Sequence, residues 1–255
     1  MPSTILRAGD DAIAPLVCVH PITGRSEVYQ LLATALDWSG PVVGLSAAEP
    51  EGSADRLTDL ANRHCDELDL RAPVLLLGWS MGGVVAAEMS RIIVARGGKV
   101  SFLGLLDSRA PQPEMRTRPL DYDTLARGFV WHAAMTRELP PVVLPSTSSR
   151  DLLAGLRSLG AADDIADEAE LERRLKIFMG LVRGFFHHEQ RPIPVPIHLF
   201  ESSEAHPSHP KPPTLGWEDL APSIEQHFVS GTHFTLLAPA RIAALAHTIN
   251  GCLPR

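Results

Sequence analysis

The sequence lacks the features that define several large classes of protein. Its 255 residues include only three cysteines, widely spaced at positions 18, 65 and 252, which favours reduced thiols in a cytoplasmic protein over a disulfide framework. No apolar run approaches the roughly 20 residues that span a bilayer, and residues 1–4 do not open a signal peptide, since no basic start precedes an apolar core. Positive charge is also in deficit, with a formal net charge of −7, so neither nucleic acid nor an anionic membrane is expected as the main partner.

What the sequence does contain is an alternation of apolar runs and helical patterns. A chain of this length with 45% hydrophobic residues suits one α/β domain with an insertion. The apolar runs that indicate buried strands lie at residues 15–19, 41–45, 74–77 and 100–106. Helical spacing separates these runs, and such alternation predicts a parallel sheet covered on both faces.

The strand at residues 74–77 leads into a G-x-S-x-G pattern formed by Gly78, Ser80 and Gly82, and a helix is predicted over residues 81–96. A serine on a sharp strand-to-helix turn has a strained backbone, and the glycines on either side come too close together for side chains. The helix directs its N-terminal N–H groups at the serine, where an oxyanion would form. A bare G-x-S-x-G occurs often by chance and can be a turn without chemistry, but the strand–turn–helix context predicts that Ser80 is a nucleophile.

Two further residues lie where predicted strands end. Asp107 directly follows the strand at 100–106, and active sites of open α/β sheets gather at the carboxyl ends of strands. His233 lies in a glycine-containing loop after a predicted edge strand at 224–229, and of the 11 histidines it is the one in the position expected of a base. The chain order Ser, Asp, His is that of α/β-hydrolases. The alternatives are a capping role for Asp107 and an inert loop histidine.

The strand–helix alternation breaks between about residues 111 and 192. Helical patterns occur there around residues 122–139, 150–159 and 167–187. The third pattern is apolar over more than a narrow stripe, which suits a helical lid over the carboxyl end of the sheet; the alternative is a packing subdomain with no contact to substrate. His187, His188 and Glu189 are not expected to bind a metal, because adjacent side chains do not converge.

Four motifs lie at successive points of the chain. They are V-C-V-H-P-x-x-G followed by Tyr29 and Leu32 (residues 17–32), L-L-G-W-S-M-G-G (76–83), L-L-D-S (105–108) and G-T-H-F (231–234). Together they resemble the thioesterase domains that end nonribosomal peptide and polyketide synthetases, and the resemblance covers nearly the whole chain. The V-H-P opening is closer to the integral releasing domains than to the separate editing thioesterases. The sequence leaves open whether the chain is part of a longer protein.

The resemblance implies an α/β-hydrolase fold, with a mostly parallel central sheet flanked by helices and a helical lid insertion. A single domain would have its core at residues 1–110 and 193–255 and its lid at about 111–192. The lid residues expected to line a substrate pocket are Phe129, Phe178, Met179, Val182 and Phe185.

The resemblance also implies a serine hydrolase with a triad of Ser80, Asp107 and His233. In most α/β-hydrolases the acid follows the next strand, which would favour Glu201 or Glu204. In this family it follows the strand directly after the nucleophile helix, as Asp107 does in the motif L-L-D-S.

The implied reaction is release of an acyl, peptidyl or polyketide chain from the phosphopantetheine arm of a carrier protein. The backbone N–H of Met81 and, by resemblance, that of Ile22 would hold the oxyanion, with no bound cofactor and no metal. Discharge by water and discharge by an internal amine or hydroxyl both stay open. So do three rivals: a stand-alone editing thioesterase, a general serine carboxylesterase, and a catalytically dead binding module of the same fold.

Overall fold

The computed structural model describes residues 3–48, 56–114, 120–205 and 211–254. Seven strands form one sheet: β1 Ser3–Arg7, β2 Leu16–Val19, β3 Val42–Leu45, β4 Val74–Trp79, β5 Val100–Leu106, β6 Ile197–Ser202 and β7 Ile224–Val229. Their spatial order is β1-β3-β2-β4-β5-β6-β7. Only β1 pairs antiparallel, with β3, and all other neighbours are parallel. The mostly parallel sheet predicted from the sequence is therefore confirmed, with β7 at one edge.

Seven α-helices accompany the sheet in the described part of the chain. They are α1 Gln30–Ala35, α2 Leu57–Asp66, α3 Met81–Ala95, α4 Tyr122–Met135, α5 Ser149–Ser158, α6 Glu168–His187 and α7 Ile242–Asn250. Two short 3₁₀ helices lie at Ser26–Tyr29 and Pro213–Gly216. Within the described residues, none of the helices has both the length and the apolar character needed to cross a membrane.

The central strand β4 shows why helices cover both faces of the sheet. Successive side chains of a strand point to opposite faces, and all six residues of β4 are buried. Val74 and Leu76 pack in a cluster with α2 and α3, whereas Leu75 and Leu77 pack in a second cluster with α1 and α7. A strand with only one covered face would need polar residues at every second position, and β4 has none.

Helices α4, α5 and α6 form a separate group with its own apolar interior. Each begins at a residue whose side chain accepts a hydrogen bond from a backbone N–H of the first turn: Asp121, Ser148 and Asp167. Such caps satisfy N–H groups that have no partner inside the helix. No strand occurs between β5 and β6 among the described residues, and the helix bounds lie close to the predicted ones. Residues 115–119 of the predicted lid, and residues 1–2, 49–55, 206–210 and 255 of the predicted core, lie outside the described part.

Candidate active site

Ser80 occupies the sharp turn between β4 and α3. Its backbone lies at φ 56° and ψ −126°, in the left-handed half of φ space that a residue with a side chain adopts only when its surroundings hold it there. The turn closes tightly, because a Cβ atom at Gly78 would lie 2.3 Å from the carbonyl carbon of Gly82. A Cβ at Gly82 would in turn lie 2.4 Å from the carbonyl oxygen of Val19. Both glycines are therefore required by close backbone approach, as the sequence pattern predicts.

Asp107 follows β5 directly and also has a positive φ, 41°. Its backbone N–H donates to the carbonyl oxygen of Phe200 at 2.7 Å, which ties the turn to strand β6. The carboxylate is buried and well supported. One oxygen, Oδ1, accepts a hydrogen bond from the backbone N–H of Ser202 at 2.7 Å and lies 3.2 Å from Lys211 Nζ.

His233 lies between Asp107 and Ser80 and contacts both. Its Nδ1 is 2.9 Å from Asp107 Oδ2, and its Nε2 is 3.0 Å from Ser80 Oγ. In the tautomer with the proton on Nδ1, His233 donates to the carboxylate and accepts from the serine hydroxyl. The Trp79 side chain fixes the loop by donating from Nε1 to the carbonyl oxygen of His233 at 3.0 Å.

The two rival acids have other partners. Glu201 accepts a hydrogen bond from the side chain of Gln226 at 2.6 Å. Glu204 accepts one from the backbone N–H of Gly231 at 3.1 Å, and so supports the loop before His233. The carboxylate on His233 Nδ1 is that of Asp107.

The environment of Asp107 keeps its carboxyl group ionised. Burial by itself would raise the pKa of Asp107, but the hydrogen bond with His233 and its charge, the Ser202 N–H and the Lys211 ammonium outweigh burial and lower the pKa to about 2. Lys211 was not a candidate in the sequence, since it lies in a loop rich in serine and proline and no motif includes it. Its position beside Asp107 is evident only from the structure.

A cavity of about 400 Å³ opens above Ser80. Ser80, Asp107, His233 and both expected oxyanion donors, Ile22 and Met81, line it. Met81 is the first residue of α3, so its N–H belongs to the positive end of the helix dipole. The remaining wall is mostly apolar and comes largely from α4 and α6.

The predicted pocket residues divide into two groups. Phe178, Val182 and Phe185 line the cavity, since spacings of four and three residues place side chains on one face of a helix. Met179 is turned by about 100° from Phe178 around the helix; it belongs to the apolar interior of the three-helix group and does not line this cavity. Phe129 lines a second cavity, of about 390 Å³, which shares His132 and Phe234 with the first.

The position of Phe129 follows from the two faces of α4. Residues of one face, Gly128 and Trp131 among them, line the cavity above Ser80. Phe129 and Ala133 lie on the other face and line the second cavity. Sequence patterns predict a helix here but contain no signal for which of its faces meets the sheet.

Comparison with known proteins agrees with this architecture. Residues 14–253 match the family model described as a thioesterase domain. The chain is 32% identical over 133 residues to enterobactin synthase component F of Escherichia coli strain K12, covering 48% of this chain and 10% of that protein. It is 29% identical over 207 residues to thioesterase pytI of Aspergillus terreus, covering 71% of this chain and 66% of that one. The chain thus spans about a tenth of the length of the synthase.

Among solved structures, the chain is similar to the four-domain nonribosomal peptide synthetase holo-AB3403, crystallised with AMP and glycine. The TM-score is 0.89 at 21% sequence identity, over 99% of this chain and 20% of that chain. Together with the sheet order, this likeness confirms the α/β-hydrolase fold expected from the sequence.

Proposed function

The chain belongs to the thioesterase domain family, and from that premise we propose that Ser80, His233 and Asp107 are its catalytic triad. The proposed reaction releases an acyl, peptidyl or polyketide chain from the phosphopantetheine thioester of a carrier protein. The observation that carries the proposal is the continuous pair of contacts, 3.0 Å and 2.9 Å, from Ser80 Oγ through His233 to Asp107. Hydrolase activity follows from the family; the residues and the substrate are our proposal.

In the first half of the reaction, His233 Nε2 takes the proton of Ser80 as Oγ attacks the thioester carbonyl carbon. Negative charge develops on the carbonyl oxygen, where the backbone N–H groups of Met81 and Ile22 stabilise it. One such donor is typically worth about 2.7–4 kcal/mol of barrier. The C–S bond then breaks, and His233 gives the proton to the departing phosphopantetheine sulfur. The acyl group remains as an ester on Ser80.

In the second half, His233 takes a proton from the incoming nucleophile, which attacks the ester carbonyl; the bond to Ser80 Oγ then breaks and His233 returns the proton to Oγ. Water as the nucleophile gives a free acid, and an amine or hydroxyl of the chain itself gives a ring. Asp107 holds the reactive tautomer of His233 and stabilises the imidazolium that forms in both halves. The low pKa of Asp107, about 2, keeps the carboxylate charged throughout the neutral range.

The proposed partner and substrate follow from the family and the cavity. One relative is a component of enterobactin synthase and another is a four-domain nonribosomal peptide synthetase by name, which supports a carrier-borne thioester as the substrate. The largely apolar cavity wall suits an acyl group that is at least partly hydrophobic. We propose that the reaction takes place in the cytoplasm, because the three cysteines are free and thiols stay reduced in that compartment.

A carrier-borne substrate can be separated from its rivals by kinetics. We expect kcat/KM to be highest for an acyl group loaded on a carrier protein, lower for the same group on free pantetheine, and lowest for its simple oxygen ester. An editing thioesterase would instead prefer short acyl groups on the carrier over long chains. Equal or greater kcat/KM for the oxygen ester would contradict our proposal and indicate a general carboxylesterase.

We further propose that helices α4, α5 and α6 form a lid that selects the substrate. Phe185 lines the cavity above Ser80, whereas Met179 packs inside the three-helix group. Phe185→Ala should therefore change the ranking of acyl substrates or the ratio of ring to acid, since it reshapes the pocket and its access to water.

The matched control is Met179→Ala. It should lower the free energy of unfolding by about 2–5 kcal/mol, as large-to-small changes in a core do, and leave substrate ranking unchanged in the fraction that is folded. Product analysis by mass spectrometry and a thermal unfolding curve measure the two effects. An unaltered ranking in well-folded Phe185→Ala protein would make the group a packing subdomain.

A further inference from the structure

Three side chains with metal-binding atoms converge on the face of the sheet that carries α7, and a fourth, Glu225, lies beside the two histidines. His198 is on β6, Glu225 and His227 are on β7, and Cys252 follows α7. The strand register places His198 beside Glu225, and residues two apart on a strand share a face. None of the four lines the cavity above Ser80, and the proposed reaction does not use them.

The ligand atoms are close together. His198 Nδ1 and His227 Nε2 are 3.4 Å apart, and Cys252 Sγ is 3.4 Å from the same Nε2. These three atoms all lie within 4.8 Å of one another. Glu225 approaches from the solvent side, with its carboxylate oxygens 3.3 Å from His198 Nδ1 and 3.6 Å from His227 Nε2.

Hydrogen bonding alone gives a poor account of this geometry. His227 Nε2 has either one proton or one lone pair, yet it faces a nitrogen, a sulfur and a carboxylate oxygen. The distances from His227 Nε2 to His198 Nδ1, 3.4 Å, and to the Glu225 carboxylate, 3.6 Å, exceed the usual 2.9–3.0 Å of N–H···O hydrogen bonds. Zinc bonds are about 2.0–2.1 Å to imidazole nitrogen and about 2.3 Å to thiolate, so adjacent ligands of a tetrahedral site lie roughly 3.3–3.6 Å apart.

Aromatic neighbours hold the two imidazole rings in this arrangement. The ring of Phe102 stacks on His198 at 5.2 Å and 24°, and the ring of Phe200 stacks on His227 at 4.9 Å and 21°. The two imidazole planes are within 19° of each other, and the rings meet edge to edge with their centroids 5.7 Å apart. Ligands whose orientation is fixed before binding lose little conformational freedom when a metal arrives.

We propose that His198 Nδ1, His227 Nε2 and Cys252 Sγ bind a Zn²⁺ ion, with the Glu225 carboxylate as the fourth ligand. A thiolate with two imidazoles favours zinc over calcium or magnesium, which prefer oxygen ligands. Binding requires the thiolate, so the Cys252 proton, which now has an acceptor in the Thr248 carbonyl at 3.3 Å, leaves to solvent.

A site with four protein ligands is closed, as structural zinc sites are. It would fasten the turn after α7 to the last two strands, β7 being the edge of the sheet. Sequence patterns predict no metal here, because the ligands come from three separate segments without a zinc-finger spacing. This inference is independent of the proposed function.

The test uses the full chain without a histidine tag, stripped of metal by a chelator and titrated with Zn²⁺ against a colorimetric competitor. We expect one Zn²⁺ per chain. Saturation about a hundredfold above Kd should raise the midpoint of thermal unfolding by roughly 5–10 °C. His227→Ala and Cys252→Ser should weaken binding by at least about 100-fold and abolish the shift. His247→Ala, which removes an exposed histidine of α7, is the matched control and should bind as wild type does.

Two further measurements keep the proposal testable if His227→Ala or Cys252→Ser fails to fold. Glu225 is exposed, so Glu225→Gln should fold normally and bind Zn²⁺ more weakly. Cys252 is half-buried, whereas Cys18 and Cys65 are buried, so iodoacetamide should modify Cys252 first and Zn²⁺ should slow that reaction. No stoichiometric binding, binding that survives Cys252→Ser, or unprotected alkylation of Cys252 in excess Zn²⁺ would each overturn the proposal.

Discussion

Replacing Ser80 by alanine is expected to lower turnover of an acyl thioester by a factor on the order of 10⁶. The reason is that Ser80 Oγ, 3.0 Å from His233 Nε2, is the atom to which the acyl group is transferred. Without it neither half of the proposed reaction can occur, and only substrate binding and the oxyanion donors would still accelerate hydrolysis. Steady-state kinetics with an acyl-pantetheine thioester measures the effect.

The Ser80→Ala variant should retain its fold. Alanine keeps the Cβ atom, so the strained backbone at φ 56° is neither relieved nor made worse, and one partly exposed hydrogen bond is lost. A suitable control is Ser90→Ala on the same helix, which removes a buried hydroxyl bonded to the Ala87 carbonyl at 2.7 Å. Ser90→Ala should keep near-normal kcat. Near-normal turnover by Ser80→Ala would instead refute the assignment of the nucleophile.

Asp107→Asn is expected to lower turnover by roughly 10⁴ with little change in overall geometry. The asparagine side chain can donate its own N–H to His233, which favours the tautomer with the proton on Nε2. That tautomer cannot accept the proton of Ser80. The variant also removes the negative charge of Asp107, which stabilises the imidazolium and faces Lys211. This carboxyl group has a pKa of about 2 and is therefore charged at neutral pH in the wild type.

Glu201→Gln and Glu204→Gln serve as the comparison for Asp107→Asn. Glu201 is the last residue but one of β6 and Glu204 follows the strand. They are the two alternatives to Asp107 that the sequence offers, but they accept hydrogen bonds from Gln226 and Gly231. Each variant should change kcat by less than about tenfold, a shift of under about 1.4 kcal/mol in barrier. A large loss in either one, with Asp107→Asn nearly unaffected, would contradict the proposed triad.

The positions of Ser80, Asp107 and His233, the proposed triad, could be predicted because each has a local signal. Ser80 lies between two glycines that only a tight turn requires, and Asp107 and His233 directly follow predicted strands. The carboxyl ends of parallel strands meet at one edge of a sheet. Sequence patterns alone could therefore place together residues that lie more than a hundred positions apart in the chain.

The pocket wall was harder to predict, because neighbouring residues of a helix have different surroundings. Phe178 and Met179 are both large, apolar and buried, and composition does not distinguish them. Which one faces the cavity depends on how α6 is rotated against the sheet, and that rotation is set by packing against α4 and α5. Only the structure shows that Phe178 lines the cavity and Met179 does not.

Two other contacts between distant segments have no signal in the sequence. Lys211 Nζ lies 3.2 Å from Asp107 Oδ1, and no motif includes Lys211. His198 and His227 meet because β6 and β7 pair in a particular register, and a shift of one residue would turn one of the two rings to the opposite face. No pattern within either strand specifies that register.

We expect the acyl group to pass from the carrier thioester to Ser80. Mass spectrometry of the enzyme during turnover tests this transfer most directly. The protein is mixed with a carrier protein loaded with a slowly released acyl group, quenched in acid and digested. We predict that the peptide containing Ser80 gains the mass of the acyl group and that fragmentation places the group on Ser80. The same peptide from Ser80→Ala should gain nothing. Release of product with no acyl group on Ser80 at any time, or an acyl group on another residue, would contradict the account.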